Sequence, residues 1–105
     1  MSSKIVIRID KDLEDLIPNF IKNRENDLIS LKEHLDKGEI KEIESIGHKV
    51  AGSSGGYGFI ELGKIAKSIE MAAMDNDTEK IKTLISDYEN HIHNVEVEFV
   101  EMDDE

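Results

Sequence analysis

Apolar positions recur along this chain in four stripes of helical period, framed by two short stretches that alternate. Ile5, Ile7 and Ile9 alternate with Lys4, Val6, Arg8 and Asp10, the period-two signature of a half-buried strand. Leu13, Leu16, Ile17, Phe20 and Ile21 then mark a helical face, with Asp10 or Asp12 in position to cap it. Pro18 divides that face. Proline is accepted in the first turn of a helix and disruptive inside one, so the pattern predicts a short turn over about 11–17 and a main helix from near Pro18. This helix carries Ile21, Leu28, Leu31 and Leu35 on its stripe and ends at Lys37-Gly38, with glycine in its usual C-terminal place. Arg24 falls on the same stripe, and a partly buried arginine needs a partner; an ion pair tying two helices together is the expectation.

A second helix begins at Glu39, with Ile40, Ile43, Ile46, Val50 and Tyr57 in one sector. The third carries Leu62, Ile65, Ala66, Ile69, Ala72 and Ala73 and runs to Met74-Asp75. Asn76-Asp77-Thr78 caps the fourth, whose core face is Ile81, Leu84, Ile85, Tyr88 and Ile92. Four amphipathic helices with short connections describe an all-α fold, an up-down four-helix bundle over about 11–94 within a single domain, 1–105. After Asn94 both templates fit, since Val95 and Phe99 extend the helical stripe while Val95, Val97 and Phe99 alternate with Glu96 and Glu98; a strand is the preferred reading. Antiparallel pairing of the N- and C-terminal extended segments would set these glutamates against Lys4 and Arg8. Met102 to Glu105 reads as a frayed acidic tail.

One stretch departs from ordinary helix composition, His48-Lys49-Val50-Ala51-Gly52-Ser53-Ser54-Gly55-Gly56-Tyr57-Gly58. Glycine inside a helix costs about 1 kcal/mol relative to alanine, so a cluster of them needs a reason. Spacing residues at about 100° puts His48 roughly 150° from the centre of the apolar sector, facing outward. Lys41, Glu44 and Ser45 share its face on one side, and Ala51, Gly52 and Gly55 on the other. An exposed neutral imidazole is a competent nucleophile, and small neighbours give a bulky partner clearance to reach it. Close packing of the second helix on the third is an equal and compatible reason for the glycines. A nucleotide-cradling loop fits poorly, because no strand precedes the glycines and no Gly-Lys-Ser/Thr ending follows.

Charge and composition narrow the classes further. Thirteen basic against twenty-four acidic residues give a net charge of −11, which repels nucleic acid and anionic membrane surfaces. Cysteine is absent, which removes disulfides, thiolate chemistry and cysteine-ligated metal. No apolar run has the length of a signal peptide or membrane span, so a cytoplasmic protein is expected. His34, His91 and His93 are the metal candidates. His91 and His93 diverge by about 200° on a helix and no Glu-x-x-His pair occurs, so no metal site is expected.

Ser45-Ile46-Gly47-His48-Lys49-Val50-Ala51-Gly52-Ser53-Ser54-Gly55-Gly56-Tyr57-Gly58-Phe59 resembles the signature of histidine-containing phosphotransfer (HPt) domains. It has the histidine, a glycine four residues on, small residues, and a glycine at ten. Leu62, Ile65, Ala66, Ile69 and Glu70 suit the helix that follows in that family. The resemblance covers about 12–93 and implies a phosphorelay intermediate of two-component signalling, a phosphocarrier without its own kinase or ATPase activity. His48 would be the phosphoacceptor, taking the group from an aspartyl phosphate of a receiver domain and passing it to another. Response-regulator receivers or a hybrid histidine kinase are the implied partners of a monomer, meeting it over Lys41, Glu44, Ser45, Ala51, Gly52 and Gly55. The magnesium of such transfers belongs to the receiver, so the chain has no cofactor of its own. Many members place a lysine three residues after the histidine, where this chain has Ala51. Lys49 and Lys67 are the candidate substitutes, and Lys64 adds to the basic set facing a receiver. Glu70 matches a position that faces the histidine in the family and is expected to accept its Nδ1–H. The alternative is a non-catalytic helical adaptor that binds receiver or kinase proteins without phosphorylation. Met71, Met74, Tyr57 and Phe59 are its candidate docking residues, though core packing is the expected use of most of them.

Overall fold

Each of the four stripes closes into a helix in the computed structural model, which describes residues 4–101. The strand β1, Ile5–Asp10, leads through a 3-10 turn at Lys11–Leu16 into α1, Ile17–Lys37. Helix α2, Ile40–Ser54, is followed by a 3-10 turn over Gly55–Tyr57; α3 spans Ile60–Met74, α4 Thr78–Asn94, and the strand β2 Val95–Val100. Local chemistry accounts for the boundaries. Pro18 sits in the first turn of α1, where its missing N–H costs no hydrogen bond, and Gly38 ends the helix in the left-handed region at φ 70°. The Asp77 carboxylate accepts the Lys80 N–H at 3.2 Å and caps α4.

The stripes meet in one core, where Leu31, Ile43, Val50, Phe59, Leu62, Ile69, Ile81 and Tyr88 are fully buried. A buried phenol needs a hydrogen-bond acceptor, and the Tyr88 hydroxyl donates to the Arg24 carbonyl at 2.7 Å, tying α4 to α1. No helix among the described residues is long and apolar enough to cross a membrane.

The terminal strands pair, but in parallel rather than antiparallel, with Ile5 opposite Val95 and Asp10 opposite Val100. The charge complementarity survives the change of direction. Lys4 lies 3.5 Å from Glu96 and Arg8 3.3 Å from Glu98. The reason for the direction is the turn at Lys11–Leu16. Four alternating helices bring the end of α4 back to the end of the bundle where α1 begins. A strand running straight into α1 would therefore oppose one leaving α4. Here the turn intervenes, packing against both strands and reversing the chain before α1. Ile9, at the buried end of β1, seats against Gly58, which sits at φ 88° and whose Cβ would come within 3.0 Å of the isoleucine. The acidic tail expected at Met102 to Glu105 lies outside the described residues.

Candidate functional site

His48 projects from the outer face of α2, its side chain 76% exposed. Its Nδ1 lies 2.9 Å from Oε2 of Glu70 on α3. An ionised carboxylate only accepts, so this contact assigns the proton to Nδ1 and leaves the Nε2 lone pair facing solvent. Oε1 of Glu70 accepts from the Lys67 ammonium at 3.3 Å, one turn earlier on the same helix. Burial pushes the Glu70 carboxyl up, but the hydrogen bonds from Lys67 and His48 outweigh it and hold the group below the usual carboxylate range. The carboxylate is largely covered, with 12% of its side chain exposed.

What brings Glu70 under the imidazole is Gly47. A Cβ at that position would lie 2.9 Å from the Ala66 carbonyl oxygen and 2.9 Å from the Glu70 backbone nitrogen. Only a bare Cα lets α2 approach α3 this closely. The glycines after His48 do something else. At Gly52, Gly55 and Gly56 an added Cβ would meet nothing within 4 Å. Packing and clearance are thus divided between different glycines, one before the histidine and three after it.

The other flank of α2 faces α1. Arg24 is buried, yet its ion pair is not the inter-helix tie anticipated for it. Nε donates to Asp27 of the same helix at 2.9 Å, and the link to α2 is a hydrogen bond from Nη1 to Ser53 Oγ at 3.0 Å. The guanidinium also lies 4.9 Å from the centre of the Phe20 ring. Three-residue spacing puts Arg24 and Asp27 one turn apart on α1, close enough to satisfy each other locally. The ion pair between helices runs instead from Lys49 to Asp27, at 3.0 Å. Lys49 is thereby drawn to the α1 side, away from the imidazole; its position about 100° round the helix from His48 leaves it that direction. Of the two lysines considered as substitutes, the structure places only Lys67 in the hydrogen-bonded chain that reaches His48.

The remaining face residues are where helical phase puts them. Lys41, Ser45, Gly52 and Gly55 are exposed, and Glu44 and Ala51 half-buried. Lys64 is exposed on α3. Phe59 is buried and Tyr57 stacks on Phe20 with ring centres 4.7 Å apart. Met71 and Met74 are half-exposed on α3 rather than in the core. The other histidines are dispersed. His34 contacts Glu39 at 2.7 Å, His93 is exposed, and His91 is buried in a T-shaped arrangement with Phe59. Among the described residues no three histidine or carboxylate side chains gather as a metal site.

Two features escaped the sequence reading. Gly47 stands inside the quoted signature, and its offset of one residue from His48 is the signal that it faces α3. Asp27 looks like one acidic residue among many, and only its spacing from Arg24 hints at its burial.

The comparisons with known proteins agree with this geometry at the level of family. No curated protein and no solved structure matches the chain. A protein-family model, described as Hpt domain, matches residues 15–96. That span runs from the turn before α1 into β2 and contains all four helices with His48, Lys67 and Glu70. By a match over most of its length, the chain belongs to the Hpt domain family, the histidine phosphotransfer modules of phosphorelay signalling.

Proposed function

We propose that this protein is a phosphorelay intermediate that carries a phosphoryl group on Nε2 of His48 between receiver-domain aspartates. The observation that carries the reading is the exposed imidazole whose Nδ1 is engaged by the covered Glu70 carboxylate. The Nε2 lone pair attacks the phosphorus of an aspartyl phosphate. A nitrogen–phosphorus bond forms, the bond from phosphorus to the aspartyl oxygen breaks, and the carboxylate leaves with its electron pair. No proton has to move, because Nδ1 keeps its hydrogen. The positive charge that develops on the ring is met by Glu70, which is held ionised before the reaction begins. Transfer to a second receiver runs the same steps in reverse.

Clearance supports the same reading. Gly52, Gly55 and Gly56 open the surface beside His48, so that a receiver can bring its phosphoaspartate in line with Nε2. Lys41 and Ser45 on α2 and Lys64 on α3 are exposed donors available to a carboxylate-rich partner. Magnesium is supplied by the receiver in this scheme, and the chain acts as a carrier without nucleotide chemistry of its own.

The test mixes the purified protein with phosphorylated receivers and follows acid-labile, base-stable label. Label that disappears in His48→Gln is the expected result. Because His48 is exposed, that substitution should change stability by no more than about 0.5 kcal/mol. Receiver binding with no label on the protein would overturn the relay and leave the adaptor.

A further inference from the structure

The exposed face of α2 carries no cation in contact with His48. Ala51 has no charge to offer, Gly52 and Gly55 have no side chains, and Lys49 is held by Asp27 on the opposite flank at 3.0 Å. The positive charge comes from α3 instead, and it reaches the imidazole through an intermediary. Lys67 Nζ lies 3.3 Å from Glu70 Oε1, and Glu70 Oε2 lies 2.9 Å from His48 Nδ1. The two oxygens of one carboxylate are therefore occupied by different partners, one cationic and one the ring to be phosphorylated.

We infer that Lys67 is a positioning residue for phosphotransfer: by occupying Oε1 it fixes the Glu70 carboxylate with Oε2 toward His48, and so selects Nε2 as the nitrogen that takes the phosphoryl group. The inference rests on His48 being the acceptor. Without the lysine, Glu70 has both oxygens free to compete for water and for Nδ1, and its side chain has lost one of two anchors. An imidazole without a fixed acceptor populates both tautomers, and the Nδ1 lone pair becomes available in one of them. Lys67 has 61% of its side chain exposed, so its ion pair is screened and its effect on rate is modest. Its effect on which nitrogen reacts is the sharper signature. The charged groups around the chain are few. Lys64 precedes Lys67 by about one turn on α3, Glu44 and Lys41 lie about one and two turns before His48 on α2, and Asp27 with Arg24 faces the far side.

The experiment uses potassium phosphoramidate as a small phosphoryl donor, so that no receiver is needed. Nε2 attacks phosphorus, the phosphorus–nitrogen bond of the donor breaks, and ammonia leaves; Nδ1 keeps its proton. Nitrogen and phosphorus NMR then report the tautomer of free His48 and the nitrogen that carries the phosphate. In the unaltered chain both should be single, with the proton on Nδ1 and phosphate on Nε2. Lys67→Ala should give a mixture of tautomers, a second phosphohistidine resonance from Nδ1, and labelling about two- to fivefold slower, the range a half-exposed ion pair supports. A carbon NMR titration should show the Glu70 carboxyl rising in the same variant, since a lowering partner has been removed. Lys67→Arg should restore the single tautomer, and Lys64→Ala should change neither property. An unchanged tautomer and a single Nε2 product in Lys67→Ala would overturn the inference. If the unaltered chain accepts phosphoryl from phosphoramidate but from no receiver, the relay reading fails while the role of Lys67 is still decided.

Discussion

Replacing Gly47 by alanine tests whether the approach of α2 to α3 is what builds the site. The new methyl would lie 2.9 Å from the Ala66 carbonyl oxygen, 2.9 Å from the Glu70 nitrogen and 3.2 Å from the Glu70 Cα. All three are backbone atoms of a regular helix and cannot rotate aside. Ordinary contact begins near 3.4 Å, so the helices must part by roughly half an ångström. Overpacking of this kind costs about 1–3 kcal/mol, and alanine returns about 1 kcal/mol of helix propensity. The net expectation is a loss of about 1 kcal/mol, reaching about 2 where the helices yield least. In a domain of this size that lowers the melting temperature by about 4–8 °C for each kcal/mol. Gly52→Ala is the matched control. It lies in the same helix with open space around its Cα, so it should raise stability by up to about 1 kcal/mol. Thermal and urea unfolding followed by circular dichroism compare the two directly. Equal stability of the two variants, or a Gly47→Ala protein more stable than the Gly52→Ala one, would refute the close-packing argument.

Three further outcomes follow from the structure. Tyr88→Phe removes the hydroxyl that donates to the Arg24 carbonyl at 2.7 Å and should cost about 1–2 kcal/mol in urea denaturation, leaving a buried carbonyl without that donor. Asp27→Ala strips the carboxylate from both buried Arg24 and Lys49 and should cost about 2–4 kcal/mol, more than Lys49→Ala, which removes only an exposed partner. Burial holds the His91 imidazole below its usual 6.5, with the Glu61 carboxylate opposing, so the unfolded chain takes up a proton first as pH falls. Stability should decline on acidification through that value, by at most about 1.4 kcal/mol per pH unit from this group, and His91→Leu should flatten the slope.

The architecture was legible because helical periodicity is strong throughout. Pro18, Gly38 and the Asn76-Asp77-Thr78 cap mark boundaries that a backbone cannot easily ignore. His48 could be assigned to the outer face by phase alone, and Glu70 to its neighbourhood only through the family resemblance. Direction and pairing were harder. The alternation of β1 and β2 says that two faces differ, and nothing in it encodes parallel or antiparallel; that depends on how the six residues of the turn at Lys11–Leu16 redirect the chain. Arg24 shows the same limit. Its burial follows from its stripe, but whether it pairs with its own helix or the next depends on where Asp27 and Ser53 meet in space.

The two flanks of α2 are held by unlike devices, and their combined effect bears on His48 although neither touches it. On the α3 side, Gly47 forms a notch that only a bare Cα can fill. On the α1 side, Asp27 grips Lys49 while Arg24 grips Ser53. Buried Ile43 and Val50 seat α2 on the core, and the two flank contacts add resistance to a roll of the helix about its axis. A helix with its side chains has a radius of about 5–6 Å, so a roll of about 20° would carry the imidazole roughly 2 Å. That distance is enough to break a hydrogen bond of 2.9 Å to Glu70. Gly52, Gly55 and Gly56 cannot resist such a roll, because a Cβ added at any of them would meet nothing within 4 Å. Clearance for a partner weakens the lateral support of the helix that presents the histidine, and the notch and the ion-pair network supply that support from the two sides the partner does not need.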